Sequence, residues 1–129
     1  MINSNAFDYI NVLDKAADAS WLRNEVISNN IANADTPGFK KQDVDFESQL
    51  TQALGHSSSK SMDEKVAAIS NKDLTASTYF DDAGFSYRLD ENNVDIQTEN
   101  VNLAENQLKY NGLMTSIKTE FQNLQNAMR

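Results

Sequence analysis

The sequence predicts a mainly α-helical protein, with long N- and C-terminal helices pairing as an antiparallel coiled coil and a loop with a short β-hairpin between them. Three observations carry this. Apolar residues recur at alternating spacings of three and four at both ends of the chain. Proline occurs once and glycine four times in 129 residues, so little interrupts a helix. Charge is segregated: of the net −8, residues 1–40 carry −2, residues 41–100 carry −7 and residues 101–129 carry +1. An acidic middle with few strong apolar runs reads as solvated surface and mobile loop.

The first predicted helix spans residues 1–33. Ile10, Leu13, Ala17, Ser20, Asn24, Ile27 and Ile31 form one helical face, five of them apolar. Asn5 followed by Asp8 suits a helix start, where a capping side chain and then a carboxylate meet the positive end of the dipole. Asn33 is expected in the left-handed conformation that closes helices, Pro37 has no amide hydrogen to continue one, and Asp35-Thr36-Pro37-Gly38 reads as a turn.

Residues 34–95 form the middle region. Gly55 to Ser61 is low in complexity and expected to be mobile. Met62 to Asn71 suits a short helix with Val66 and Ile69 inward. Phe85, Tyr87 and Leu89 alternate with polar residues, and Asp90-Glu91-Asn92-Asn93 offers a turn before Val94 and Ile96, a candidate hairpin.

Asp95 is placed to cap the C-terminal helix, residues 96–129. There Ile96, Asn100, Leu103, Gln107, Tyr110, Met114, Ile117, Phe121, Leu124 and Met128 keep the three–four spacing for more than four heptads, and Val101, Ala104 and Leu108 widen the stripe. At about 1.5 Å per residue this helix is about 50 Å long, against about 35 Å for the diameter of a compact domain of this size. One N-terminal stripe interrupted by Ser20 and Asn24 does not cover both faces. The surplus is expected to bury against other chains, with Ile10, Leu13, Ile27, Ile31, Leu103, Tyr110, Met114, Ile117, Phe121 and Leu124 as the assembly interface. An ordinary two-helix hairpin is the plainer reading.

Composition excludes several functions. Without cysteine there is no thiolate metal site and no cysteine nucleophile, and the single histidine, His56, cannot build a triad or a ligand set needing two imidazoles. The acidity disfavours nucleic acid. Neither Asp81-Asp82 nor Asp90-Glu91-Asn92-Asn93 has the spacing of a calcium loop. Trp21 reads as packing, and no catalytic, cofactor or metal site emerges, nor one for a small-molecule substrate. Met1 to Ser4 lacks the basic start of a cleavable secretion signal. Leu, Ile, Val and Phe total 29 residues, little above the roughly one-fifth level at which chains stay disordered. A large private core is not expected.

Ser28-Asn29-Asn30-Ile31-Ala32-Asn33-Ala34-Asp35-Thr36-Pro37-Gly38-Phe39-Lys40 resembles the signature of the rod and hook proteins of the bacterial flagellum. In that family an S-x-N-I-A-N-x-x-T-P-G-[FY] segment closes the N-terminal helix, here Ser28, Asn30, Ile31, Ala32, Asn33, Thr36, Pro37, Gly38 and Phe39. Asp43-Val44-Asp45-Phe46, Asn92-Asn93-Val94-Asp95-Ile96 and Leu103-Ala104-Glu105-Asn106-Gln107-Leu108-Lys109-Tyr110 resemble further stretches of its proximal-rod members. The compact turn at Asp35–Gly38 favours these over the sister short rod protein FlgC. The resemblance covers about residues 8–50 and 85–129. It implies a structural subunit of the basal-body rod, outside the cytoplasmic membrane after export. The implied partners are other rod subunits, the rod adaptor FliE with the membrane ring, and the type III export gate. Phe46 and Leu50 resemble the short element that docks on that gate; their plainer reading is packing within one helical turn. A soluble coiled-coil adaptor or secretion chaperone is the rival class.

Overall fold

The computed structural model describes residues 5–55, 59–70, 74–81 and 88–129. In chain order these form α1 (Asn5–Ala32), β1 (Gln42–Asp45), α2 (Glu47–Leu54), α3 (Met62–Ser70), β2 (Ser77–Phe80) and α4 (Ile96–Ala127). The protein is mainly helical, with two long terminal helices and a small antiparallel sheet between them.

Side-chain chemistry explains most of the boundaries. Asp8 lies in the first turn of α1. That helix ends without a left-handed residue at Asn33: among the described residues the positive-φ positions are Gly38, Gly55 and Glu91. Asn33 instead donates its Nδ2 back to the Asn29 carbonyl at 2.8 Å, and its own carbonyl accepts from the Thr36 amide at 3.0 Å. The chain thus leaves the helix through successive tight turns, and the left-handed step falls on Gly38 (φ 71°), where no Cβ opposes it. Asp45 Oδ1 accepts from the Ser48 amide at the start of α2. Ser61 and Glu64 exchange reciprocal side-chain to backbone bonds of 3.0 and 3.3 Å before α3, a capping box. Asp95 caps α4 as its sequence position suggests, accepting from the Gln97 amide at 3.0 Å and from the Thr98 hydroxyl at 2.8 Å. These two donors, the Thr98 hydroxyl first, hold the Asp95 carboxyl below its ordinary range.

The sheet differs from the expected hairpin. β1 pairs with β2, with Gln42 opposite Phe80 and Asp45 opposite Ser77. Phe85 and Tyr87 lie outside the described residues, as does His56. The expected second arm is not a strand: the Val94 amide donates to Asn92 Oδ1 at 2.8 Å, and Ile96 already opens α4. Local side-chain bonds take the backbone groups a ladder would need.

α1 is the centre of the molecule because it packs on two sides. One face meets α4. The other, Val12, Ala16 and Ala19, meets the middle region, where Ala19, Phe46, Ile69 and Leu74 form a buried cluster with Leu50, Ala53 and Leu54 against it. Val66 and Ile69 of α3 point inward as expected. Lys15 Nζ donates to the Leu74 carbonyl at 3.1 Å, and the Tyr9 hydroxyl donates to Asp63 at 2.8 Å, tying α1 to α3 and the segment after it.

Candidate assembly interface

The Asn-rich signature closes the fold on itself. Asn30 is 1% exposed. Its Oδ1 accepts from the Gln42 amide at 3.0 Å while its Nδ2 donates to the Gln42 carbonyl at 2.8 Å and to Glu99 Oε2 at 3.0 Å. One side chain therefore joins α1, β1 and α4. Asn92, equally buried, works from the other end: its Nδ2 donates to the carbonyls of Asn33 and Thr36 at 2.9 and 2.8 Å. A residue just ahead of α4 thus ties down the turns that follow α1, adding a second donor to the Asn33 and Thr36 carbonyls. Asn93 accepts from the Lys41 amide at 2.7 Å, Arg88 donates to the Ala34 carbonyl at 2.6 Å, and the Gly38 amide donates to the Asp90 carbonyl at 2.7 Å. Ser28 bonds back to the Asn24 carbonyl, and Pro37 and Thr36 are exposed in the turn.

The seam between α1 and α4 is polar at its centre. Ser20 Oγ donates to Asn106 Oδ1 at 2.9 Å, and Asn106 Nδ2 donates to the Ser20 carbonyl at 2.8 Å. Asn30 meets Glu99 two to three turns along. Rising numbers on α1 meet falling numbers on α4, so the helices run antiparallel. Leu103, Tyr110, Ile117 and Leu124 are half-buried beside this seam, as are Leu13 and Ile31 on α1; Ile10 and Ile27 are fully buried. Met114 and Phe121 stay exposed, and the buried residues of α4 are Glu99 and Asn106. The apolar stripe of α4 is therefore rotated from the seam, since hydrogen bonds rather than hydropathy choose which side faces α1.

The two flanks of α4 differ in chemistry. On one side Arg23, Lys41, Asp43, Glu99, Asn102, Glu105 and Lys109 line a polar cleft of about 280 Å³. At its edge Arg23 forms two bonds to the Glu47 carboxylate, of 2.8 and 2.6 Å, and a third to the Val44 carbonyl, while Lys109 also reaches Glu47. The Arg23 guanidinium holds the Glu47 carboxyl far below the usual carboxylate range, with Lys109 adding to it. Lys41 pairs with Asp81 at 2.8 Å, and this bond raises the Lys41 pKa. On the other side Trp21 and Tyr110 stand with ring centroids 6.2 Å apart over a cleft of about 250 Å³. Phe46 and Leu50 face neither flank: Phe46 is buried, and Leu50 packs against it on the core.

Among the described residues no cluster of three or more His, Cys, Asp or Glu side chains is placed to hold a metal ion, and no helix is long and apolar enough to cross a membrane. The polar residues that carry the architecture, Asn92, Glu99, Asn106 and the Arg23–Glu47 pair, were not singled out by apolar spacing. The abundance of asparagine, 16 residues, is the one trace they leave in composition.

The described residues define a long antiparallel helix pair locked by buried amides. Residues 10–40 match the family model described as "Flagella basal body rod protein". The chain is 32% identical over 114 residues to the flagellar basal body rod protein FlgB of Yersinia enterocolitica, covering 83% of each chain. It is 31% identical over 116 residues to FlgB of Bacillus subtilis (90% of this chain, 89% of the relative) and 30% identical over 114 residues to FlgB of Salmonella typhimurium (83% of each). This chain belongs to the flagellar basal body rod protein family, whose members are structural components of the flagellar basal body and not enzymes.

Proposed function

We propose that this chain is a subunit of the proximal rod, exported by the flagellar type III system and polymerised through its terminal helices to transmit torque. The observation that carries the reading is α4: it spans 32 residues yet buries Glu99 and Asn106 alone, while Ile96, Val101, Leu108, Met114 and Phe121 remain exposed. Monomers seldom leave so many large apolar side chains of one helix open to water. Residues 1–33 and 96–129 would form an inner coiled-coil layer shared among subunits, and residues 34–95 an outer layer. Stiffness follows from a repeated interface.

Further rod subunits, the adaptor FliE with the membrane ring, and the export gate are the partners in this reading. Because Phe46 and Leu50 pack in the folded core, the gate would read them from the unfolded chain during export, before α2 forms. Epitope-labelled protein in purified hook–basal bodies tests the proposal. Label retained in the rod after detergent extraction supports it; label found only in the soluble fraction, with motility intact, points to the adaptor or chaperone class instead.

A further inference from the structure

Two apolar surfaces of different shape face away from the rest of the chain. The first is a groove between α1 and α4. Trp21 and Tyr110 wall it, and Asn24, Asn106 and Gln107 also line it. Asn24 Oδ1 is buried there with no hydrogen-bond partner. At about 100° per residue, Met114 and Phe121 continue the same flank of α4, and Phe7 the same row of α1 as Trp21; all are between 44% and 62% exposed. The second surface is a ridge. Val101, Ala104 and Leu108 lie on the side of α4 opposite Glu99 and Asn106, with Leu108 73% exposed. Gln97, also exposed, stands on this row one turn before Val101.

We propose that the Val101–Ala104–Leu108 ridge of one copy seats in the Trp21–Tyr110 groove of a second copy of this chain, joining copies head to tail. The proposal deepens the rod-subunit reading and rests on it. Ridge and groove occupy different sides of α4, so a copy whose groove is filled still offers its own ridge. Such a contact is heterologous and propagates, as a contact between identical patches does not. Charge selects the same elements. Residues 96–129 sum to zero while residues 33–95 carry −6, so copies meeting through α4 bring a neutral helix into contact and leave the acidic segments apart. Gln97 of the seated ridge supplies the N–H donor that Asn24 Oδ1 lacks.

The chain has no cysteine, which permits a clean cross-linking test on the full chain. The double variant Asn24→Cys/Gln97→Cys, oxidised with copper phenanthroline in purified basal bodies, is expected to give a ladder of covalent dimers, trimers and longer species. Co-incorporated single variants Asn24→Cys and Gln97→Cys should stop at dimers containing one of each. Dimers formed by either single variant alone would show a symmetric contact and overturn the proposal, as would incorporation of the double variant without any cross-link. A Leu108→Glu variant with unchanged circular dichroism should lose at least tenfold in incorporation, and Leu108→Met should restore it; equal incorporation of Leu108→Glu also contradicts the proposal. Absence of the wild-type protein from basal bodies would instead refute the rod reading itself.

Discussion

α1 and α4 are both long, both amphipathic and paired along most of their length, yet they finish differently. α1 buries Ile10, Ala17, Ala19, Val26, Ile27 and Asn30, because α4 covers one face and the middle region covers another. Among the described residues α4 packs on α1 along one side, reaches α2 through Lys109 and Glu47 and is otherwise open, and what it buries is polar. α1 is thus completed inside its own chain, whereas α4 is specified there by hydrogen bonds and left short of apolar burial. Register and stability are separable: buried amides choose how the helices align, and the bulk of the apolar surface stays available for other contacts.

The comparison breaks most severely at Asn30. Asn30→Ala strips partners from the Gln42 amide and carbonyl and from the buried Glu99 carboxylate. At about 1–3 kcal/mol for each buried group left unpaired, the expected loss is about 3 kcal/mol in urea unfolding of the isolated chain. Asn106→Ala should cost less, about 2 kcal/mol, by removing the Oδ1 acceptor of the Ser20 hydroxyl, which keeps only a 3.4 Å bond to the Asn106 carbonyl, and the Nδ2 donor to the Ser20 carbonyl. The pair Ser20→Ala/Asn106→Leu should regain most of that loss, because removing both partners leaves fewer polar groups unpaired. Its seam is then free to rotate toward the apolar stripe, which site-specific spin-label distances between α1 and α4 would detect.

Arg23 tests the polar flank. Arg23→Met removes both bonds to Glu47 and the one to Val44, with an expected cost of about 1 kcal/mol for a partly exposed ion-pair network. The pH signature is more specific than the magnitude. Because Arg23 depresses the Glu47 pKa in the folded state, this stabilisation is fully present above the unfolded carboxylate value of about 4.3. It is lost as pH falls below that value toward the folded pKa. Wild-type stability should therefore fall more steeply than that of Arg23→Met in acid unfolding below about pH 4.3. Equal slopes would remove Glu47 from the account.

The smallest effect on the isolated chain is expected at the open flank of α4. Phe121→Ser and Met114→Ser should change monomer stability by no more than about 0.5 kcal/mol, as for other exposed positions. The same variants should be depleted from purified basal bodies. A large loss of monomer stability would mean that these side chains already have a partner within the chain.

How much of this was legible in the sequence follows from which residues carry each feature. The bounds of α4 were readable because Asp95 is a side-chain cap and the apolar spacing persists to the end. α1 was readable as a helix but not as a two-sided one: its second face runs through Val12, Ala16, Ala19, Arg23, Val26 and Asn30, where two alanines and two polar residues make the apolar stripe weak. The β1–β2 pairing was missed because each strand has four residues and Ser77–Phe80 is exposed throughout, so no alternation of burial marks it. The signature residues Asn30 and Asn33 were visible as a motif. Of their partners, Gln42 and Glu99 bore no mark and Asn92 was visible only within the Asn92–Ile96 stretch, not as a partner, since amide bonding across 12, 59 and 69 residues has no local pattern.

Amide hydrogen exchange, followed separately on α1 and α4, tests the central claim most directly. In the isolated chain, residues 108–127 of α4 should exchange markedly faster than residues 16–30 of α1, and the difference should vanish in basal bodies, where neighbouring copies cover α4. Equal protection of the two helices in the isolated chain would contradict the account, because α4 would then be complete without a partner.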